Sequence, residues 1–591
     1  MKKLIVLLAL LSMSSTNAAY LSNVQQTLTQ PNGNVIHCLT TGDEYYNYLH
    51  DSAGYTIIQN ETTGYYVYAD KIGDSLVPTN LIVGVNNPSS LCLAIGIKHP
   101  DEYIQQRYLE ANYFNARNGN TLQATPTFTN INNIVVFVKW VEGVDFIVPI
   151  QHYIENFNTH ICSMRNYYKE ISFDKLDVTS FFCPPQQDIG NVVCVIVEHS
   201  RNYYLPYNAV SNPDGYPADE QYIRASALIA EVIDSVKKQN MIPTSLDIDN
   251  DGDGYIDGLT FIFQGGTGSG ILWPHKSVFP IYLYYNSTIN GKIPRDYYIT
   301  VSSTAPSDTA PTGIGPVDKH EFGHILGAPD YYNSSNPNDF PVDRWSLMAN
   351  NSFGSGQYMT MYERERFGGW IDVPQITNSG TYTINPVTSP TNNAYKIKSP
   401  NSDTQYIYLE YRKTQDEFAG DLSKFVSPTS GLLVYRIDKR YRGCNGGYEM
   451  YVYRPNGSYG NGYGSYNNGY GSGYIGSKDS ALFTQNHIPN LTSTQLFLQD
   501  NTPSGIDISN ITENPNGTIT FTVDIGTTKY VASIQLSMQT LELLAGGKDA
   551  TLEYTISPAD ATNKNVSWKS TNPSIATVSD GVVTPIAVGE T

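Results

Sequence analysis

Nearly continuous apolar runs, separated by amphipathic stretches, mark the middle of the chain. The runs at residues 134–138, 192–197 and 259–263 are typical of strands that are buried on both faces of a sheet. Residues 149–169 and 219–238 show helical periodicity, and the second stretch has a wide apolar stripe. Strands that alternate with helices predict an α/β sheet with helices packed on its faces.

The segments on either side of this region follow a β pattern. Alternation at residues 55–58 and 65–69 predicts hairpin strands before the apolar runs begin. From about residue 377, short alternating segments between turn residues predict a β-sandwich-like domain. Residues 531–591 form another β unit, and we expect it to be truncated because a final strand is missing where the sequence stops.

The first residues have the pattern of a secretory signal. Met1-Lys2-Lys3 supplies the positive charge, residues 4–11 the apolar segment, and small residues follow up to Ala18 and Ala19. The apolar segment is too short to span a bilayer, and no later stretch has transmembrane length. We therefore expect a signal peptide at residues 1–18, no membrane span, and an extracellular or cell-surface location.

The net charge of the chain bears on which kinds of molecule it can bind. The formal net charge is −19 and the pI is about 4.9, which argues against binding to nucleic acid. An acidic balance suits an extracellular protein that binds calcium.

The cysteines give no metal cluster of their own, because none of the six has CxxC spacing. Cys183 and Cys194 flank a turn with two prolines and a glycine, so a disulfide across a hairpin is one interpretation. Buried free thiols are the other.

The strongest chemical signal is the segment from His320 to Asp330. His320 and His324 are one helical turn apart, so both imidazoles can reach one metal ion. Gly327 can end the helix with a left-handed residue, and the turn that follows can bring Asp330 back as a third ligand. Three protein ligands leave a position open for water, which is typical of catalytic zinc. Glu321 is not needed as a ligand and is the candidate general base.

A possible floor for this site lies at residues 345–350. Met348 is predicted to occupy a Met-turn, with its side chain beneath the metal, although a methionine in a turn is more often simple core packing. The residue that would stabilise the oxyanion stays open among His275, Tyr358 and Tyr362.

A second acidic cluster predicts calcium. Asp249, Asp251 and Asp253 occupy alternate positions, the Tyr255 carbonyl can coordinate, and Asp257 can close the shell. Oxygen ligands of this kind suit calcium better than zinc. An acidic surface turn without a metal is the alternative interpretation.

The pattern HExxHxxGxxD at residues 320–330 resembles the immune inhibitor A family of secreted bacterial metalloproteases, a metzincin-like group. Residues 273–276 and the Asp-rich loop before them are also similar to that family. The resemblance as a whole spans about residues 31 to 525. The Met-turn reads Trp-Ser-Leu-Met where an Asp is expected second, which puts one local hydrogen bond in doubt. The resemblance implies an N-terminal propeptide, and Cys38, Cys92 or an Asp of that segment could occupy the open zinc position.

With the resemblance included, the expected fold is an α/β (α+β) metzincin-like zinc protease domain with a propeptide and all-β C-terminal domains. The terminal β unit resembles bacterial immunoglobulin-like domains. The predicted boundaries are 1–18 for the signal peptide, 19–125 for the propeptide, 126–372 for the catalytic domain, 373–526 for the β-sandwich and 527–591 for the immunoglobulin-like domain.

The expected function is a secreted endopeptidase that uses Zn²⁺ to cleave proteins or peptides, is made as a zymogen, and holds structural Ca²⁺. A non-catalytic adhesin is the first alternative, favoured by the terminal β unit and by a Tyr/Gly-rich tract at residues 456–476 that could contact a host or cell-surface ligand. A metal-dependent hydrolase of another bond is the second.

Overall fold

The computed structural model describes residues 21–43, 46–100, 103–104, 129–186, 190–217, 220–268, 270–280, 286–302, 316–333, 339, 341–349, 357–413, 429–444, 447–454, 481–526, 531–559, 561 and 564–591. The predicted signal peptide and the Tyr/Gly-rich tract at 456–476 lie outside these residues.

The N-terminal part is an antiparallel sheet in which each strand pairs with the next along the chain. One face covers a small apolar core that contains Ile36, Cys38 and Ile57. A short 3₁₀ helix, Pro88–Leu91, follows the sheet. The strands are β1 Leu21–Thr29, β2 Val35–Gly42, β3 Asn47–His50, β4 Thr56–Gln59, β5 Tyr66–Ile72 and β6 Ser75–Ile82.

The central region is a mixed sheet with the order β11-β12-β10-β7-β8, and β9 also pairs with β7. All its neighbours are parallel except β11, the edge strand, which pairs antiparallel with β12. The α/β prediction is confirmed. The strands are β7 Asn130–Trp140, β8 Asp177–Cys183, β9 Val195–Val197, β10 Leu259–Phe263, β11 His275–Val278 and β12 Asp296–Val301.

The helices around this sheet are short apart from one. They are α1 Ile150–Ile154, α2 Met164–Ile171, α3 Gln221–Lys238, α4 Pro316–Ile325 and α5 Met361–Arg366. Further helical turns are a π-helical turn at Glu155–Thr159 and 3₁₀ turns at Arg201–Tyr204, Gly270–Leu272 and Asp343–Trp345.

Two predicted elements are shorter than expected. The strand expected at 192–197 covers only Val195–Val197, because β8 already pairs with β7 as far as Val136 and leaves room only beside Val138–Trp140. The helix expected at 149–169 is interrupted. His160 adopts an extended backbone, and the Ser163 side chain then accepts a hydrogen bond from Asn166 N to start α2.

The sheet separates two apolar cores, because alternate residues of β7 point to opposite faces. Val135 and Phe137 belong to the core that also holds Phe322 and Leu326 of the α4 region. Ile134, Val136 and Val138 face the core formed with α3, whose apolar stripe contributes Leu228, Ile229, Val232, Ile233 and Val236. We call the first of these the site-side core.

All six cysteines are free thiols. The disulfide between Cys183 and Cys194 is therefore absent. Cys183 lies in the core on the α3 face, whereas Cys194 packs against the site-side core on the opposite face of the sheet. Thiols on opposite faces of a sheet cannot reach the geometry of a disulfide.

The described residues between 375 and 525 form a β-sandwich. A six-stranded sheet of order β13-β15-β16-β17-β18, with β19 also on β17, faces a three-stranded sheet of order β14-β21-β20. An apolar core with Ile407 and Phe521 fills the space between them. The strands are β13 Gln375–Ile376, β14 Gly380–Ile384, β15 Ala394–Lys398, β16 Gln405–Lys413, β17 Ser430–Asp438, β18 Met450–Val452, β19 Leu482–Phe483, β20 Ile506–Glu513 and β21 Ile519–Ile525.

The other face of the six-stranded sheet belongs to the site-side core. Leu433, Tyr435 and Ile437 of β17 are buried there with Leu347 and Met348, whereas Leu432 and Val434 face the sandwich interior. One continuous core thus crosses position 372, where we predicted a domain boundary.

The C-terminal unit has two small sheets, β22-β24 and β23-β26-β25. Several of its apolar side chains are exposed, among them Leu544 and Val588. Among the residues that the structure describes, no helix has the length and apolarity needed to cross a membrane. The strands are β22 Ser533–Leu536, β23 Ala550–Thr551, β24 Tyr554–Ser557, β25 Ala576–Ser579 and β26 Val582–Pro585.

Candidate metal centre

Helix α4 and the turn after it bring the three predicted zinc ligands together. Pro316 opens the helix, where its missing N–H costs no hydrogen bond. Gly327 has φ +94° and ends it in the left-handed region, as the sequence predicted. Gly327 N donates to His324 O at 3.0 Å, and Ala328 N to Gly323 O at 3.1 Å. The chain then reverses toward the helix.

Both histidines are oriented through Nδ1. His320 Nδ1 is 2.8 Å from Leu347 O. His324 Nδ1 is 2.7 Å from Ala328 O. A carbonyl oxygen only accepts, so each Nδ1 must carry the proton, and each Nε2 can present a lone pair.

Three acceptor atoms converge in the interior. The two Nε2 atoms of His320 and His324 are 3.0 Å apart. Asp330 Oδ1 lies 3.1 Å from the first and 3.3 Å from the second. All three residues are buried, so lone pairs at this separation repel one another unless a cation or a proton lies between them. Burial lowers the pKa of His320, but Asp330 and Glu321 outweigh it and leave that pKa above its usual value.

The donor set fits zinc. Tetrahedral zinc with bonds of about 2.0–2.1 Å to nitrogen and oxygen places its ligand atoms about 3.3–3.4 Å from one another. The observed separations of 3.0, 3.1 and 3.3 Å are close to that triangle. Two imidazoles and one carboxylate leave a further coordination position for water or substrate.

Glu321 follows His320 on α4 and is fully buried. It is not part of the group of three convergent ligands. Its carboxylate is close enough to contribute to the raised pKa of His320. This arrangement keeps Glu321 beside the metal position without using it as a ligand.

Met348 lies directly beneath α4. A Cβ added at Gly323 would lie 2.5 Å from Met348 Sδ, so the sulfur touches the helix backbone between the two histidines. The residue before Met348 is Leu347, whose carbonyl orients His320. Packing and ligand orientation therefore come from the same turn.

The hydrogen bond that was in doubt in this turn is made by Ser346. Its Oγ accepts from Met348 N at 2.9 Å and donates to Glu363 Oε1 at 2.7 Å. Glu363 is also the capping residue of α5, where it accepts from Thr360 N and Oγ1. Burial raises the pKa of Glu363 to about 7.

Two of the three oxyanion candidates have carboxylate partners. Tyr358 OH donates to Glu170, and Tyr362 OH donates to Glu449 Oε1 at 2.6 Å. His275 lies on β11, and its Nδ1 is 2.6 Å from Trp273 O. Each of the three side chains thus has a hydrogen-bond partner, and the oxyanion-stabilising residue stays a prediction among them.

Neither predicted latency thiol joins the metal group. Cys38 is buried inside the N-terminal sheet, where burial raises its thiol pKa to about 11. Cys92 is exposed after the 3₁₀ helix. The group that the described residues form consists of His320, His324 and Asp330.

The N-terminal sheet nevertheless packs against the central region. Val24 of β1 and Val317 of α4 both pack on the buried Trp273. Farther along the contact, Gln59 Nε2 donates to Ser211 Oγ at 2.7 Å. The N-terminal sheet therefore lies beside the start of the helix that carries the histidines.

The Asp-rich loop gathers part of its predicted ligand set. Asp249, Asp251 and Asp257 each offer an oxygen within 4.8 Å of the others. Asp253 is outside this group, and its Oδ1 accepts from Tyr255 N at 2.8 Å. Burial and the neighbouring carboxylates raise the pKa of Asp257 to about 7.

Residues 144–369 match the family model described as immune inhibitor A peptidase M6, catalytic domain. This segment is similar to the catalytic domain of the immune inhibitor A peptidases. The family is one of metallopeptidases, so the match supports a metal-dependent hydrolase that acts on proteins. Residues 530–591 match the bacterial Ig-like domain, group 2.

Similar solved structures are weak matches. Catalytically inactive OgpA from Akkermansia muciniphila, crystallised with an O-glycopeptide (glycodrosocin) substrate, has 11% identity and a TM-score of 0.24, and the match covers 55% of this chain and 87% of that chain. Wild-type OgpA from the same organism, in two crystal forms, has 12% identity and TM-scores of 0.21, covering 55% of this chain and 88% or 87% of that chain. Similarity at this level does not establish a shared fold. No curated protein matches the chain.

Sequence reasoning missed several groups around the peptidase site. The carbonyls of Leu347 and Ala328 orient the histidines, and backbone groups leave no mark in residue types. Glu363 supports the Met-turn from 17 residues away. Its place three residues after Thr360 is a capping-box pattern that signals a helix start but not a link to the metal.

We predict that Gly323→Ala destabilises the peptidase domain by about 1–3 kcal/mol, because the new methyl group forces Met348 out of its buried position. Urea unfolding of the full chain measures the change. The matched background is Met348→Ala, which removes the clashing sulfur. The same glycine substitution should cost clearly less there, and an equal cost in both backgrounds would contradict the contact.

Proposed function

We propose that this chain is a secreted zinc endopeptidase, made as a zymogen, that hydrolyses peptide bonds of proteins. The observation that carries the proposal is the buried convergence of two imidazole Nε2 atoms and one carboxylate oxygen at 3.0–3.3 Å. His320, His324 and Asp330 would hold the zinc. The metallopeptidase family of residues 144–369 supports this assignment.

When bound, zinc would polarise the scissile carbonyl and lower the pKa of a water molecule. Glu321 would take the proton of the attacking water on its carboxylate and pass it to the leaving amine nitrogen. Its burial beside His320 keeps that carboxylate out of bulk solvent. Met348 and Leu347 would hold α4 and the His320 ring in position.

The predicted signal peptide and the bacterial Ig-like segment support secretion, and that segment is the candidate for a host or cell-surface ligand. The metallopeptidase family does not favour the adhesin alternative.

We predict that Glu321→Gln lowers peptidase activity on unfolded casein by about 10²–10⁴-fold, because the amide cannot accept the water proton. Zinc content should stay at the wild-type level, since Glu321 is not one of the three ligands. Glu142→Gln, at an exposed position of the same domain, is the matched control and should cut normally. Loss of zinc from Glu321→Gln, or retained cleavage, would refute the assigned role.

The zymogen proposal rests on the contact of Val24 with Trp273 beside α4. A charged side chain at that contact has to be desolvated, so Val24→Asp should loosen the N-terminal sheet. We predict that the uncleaved Val24→Asp chain has higher peptidase activity than the uncleaved wild-type chain. Val35→Asp is the control, because Val35 is 57% exposed on the neighbouring strand. Equal activity of the two uncleaved variants would argue against inhibition by this contact.

Calcium would bind at the Asp-rich loop through Asp249, Asp251 and Asp257, and we also keep Asp253 and the Tyr255 carbonyl as predicted ligands. The convergence of three carboxylates supports this proposal. Lys292 Nζ lies 2.5 Å from Asp249 Oδ2 and offsets only part of the negative charge.

We predict that calcium stabilises the zinc-saturated chain by ~2.7 kcal/mol at a concentration of about 100 times its Kd. Thermal unfolding with and without added CaCl₂ measures the effect, and MgCl₂ is the control for the ion. Asp257→Asn should abolish the shift, whereas Asp214→Asn, at an exposed position, should keep it. No calcium shift in the wild-type chain would contradict the site.

A further inference from the structure

The turn that carries Asp330 is in contact with a loop from the β-sandwich. This loop lies between β17 and β18, and we call its described residues 442–444 and 447–449 the buttress loop. Arg442 Nη2 donates to Gly327 O at 2.7 Å. Gly443 follows, with φ +67°, and packs against the backbone of Asp330. The buttress loop therefore touches both the residue that ends α4 and the third ligand.

The packing at Gly443 leaves no room for a side chain. A Cβ at this position would lie 2.6 Å from Asp330 O and 3.4 Å from Pro329 Cβ. The nearer atom belongs to the backbone, so it cannot move aside without moving the turn. Gly443 is needed both for its positive φ and for this close approach.

The buttress loop is itself fixed from two sides. Gly443 N donates to Glu449 Oε2 at 2.7 Å, and Glu449 N donates back to Gly443 O at 2.8 Å. The other oxygen of Glu449 accepts from Tyr362 OH at 2.6 Å. Tyr362 belongs to α5 of the peptidase domain. The loop is therefore connected to both parts of the chain.

On its other side, the turn is held by the Met-turn. Tyr331 N donates to Met348 O at 2.7 Å. The same turn supplies the Ala328 carbonyl that orients His324. A displacement of this turn would therefore disturb two of the three ligands.

We propose that the buttress loop of the β-sandwich positions Asp330 and the Ala328 carbonyl, so that metal affinity depends on residues beyond the matched segment 144–369. Arg442 and Gly443 are positioning residues in this proposal, since neither is a ligand. The proposal rests on the zinc site proposed above. It is supported by the site-side core, which contains Leu433, Tyr435 and Met450 of the sandwich.

The test measures the zinc dissociation constant of the full chain by competition with a chromophoric chelator. This readout does not depend on catalysis. Substitutions of groups that orient metal ligands typically weaken metal affinity by about 10–100-fold. We expect a loss in this range for Gly443→Ala and a smaller loss for Arg442→Ala. Activity of both variants should rise with added zinc toward the wild-type value.

Each variant has a matched control in the sandwich. Gly517→Ala introduces the same strain at φ +84°, and its Cβ would meet only Lys413 Nζ at 3.5 Å. Arg440 lies two residues before Arg442, and its Nη2 is 2.6 Å from Asp438 Oδ2. Arg440→Ala therefore removes an arginine whose partner lies away from the turn. Both controls should bind zinc as the wild-type chain does. Arg442 is exposed, so Arg442→Ala tests the proposal even where Gly443→Ala does not fold.

The outcomes separate the two proposals. If the wild-type chain binds zinc, and Arg442→Ala and folded Gly443→Ala bind it with unchanged affinity, the buttress role is wrong and the zinc site stands. Equal losses in the variants and their controls would also overturn it, because the effect would then be general destabilisation. A wild-type chain that binds no zinc would overturn the proposed function itself.

Discussion

Three lone pairs directed at one buried point set the main constraint on this structure. Two neutral imidazoles and a carboxylate repel one another at 3.0–3.3 Å in a low-dielectric interior, and burial of the carboxylate has its own desolvation cost. The arrangement is stable only when a cation or a proton offsets both effects. Binding of a metal ion at this point would therefore be coupled to local folding.

The fold meets this constraint from several directions. Helix α4 fixes the spacing of His320 and His324, and Gly327 reverses the chain toward them. The carbonyls of Leu347 and Ala328 then fix the ring orientations. Beneath these groups, the site-side core joins the central sheet to the β-sandwich, so the ligands lie at a junction between two layers of the molecule.

Local chemistry made much of the site predictable. The spacing of His320 and His324 and the glycine that ends the helix are short-range features, and residue types specify them directly. The buried strands at 134–138 and 259–263 were predictable for the same reason, because a continuous apolar run needs cover on both faces. Tertiary pairing decided the rest. The strand at 192–197 was shortened by β8, which occupies the same edge of β7.

Contacts between distant parts of the chain could not be predicted from one sequence. Cys183 and Cys194 are near in sequence, yet the sheet separates them, and only the face that each residue occupies reveals this. Arg442 is 115 residues from Gly327, and nothing in its neighbourhood distinguishes it from an ordinary surface arginine.

Because such contacts join residues far apart in sequence, a sequence motif does not by itself define the structural unit around the site. The metal-binding pattern ends at Asp330, but the backbone of Asp330 is packed against Gly443 and bonded through Tyr331 to Met348. A side chain is fixed in space only when its backbone is fixed, and Gly443 of the β-sandwich supplies part of that restraint for Asp330. The site-side core also extends into the β-sandwich, because Tyr435 and Met450 are as deeply buried in it as Leu347. The packed unit around the predicted metal ligands therefore includes the first sheet of the sandwich as well as the helix that carries the motif.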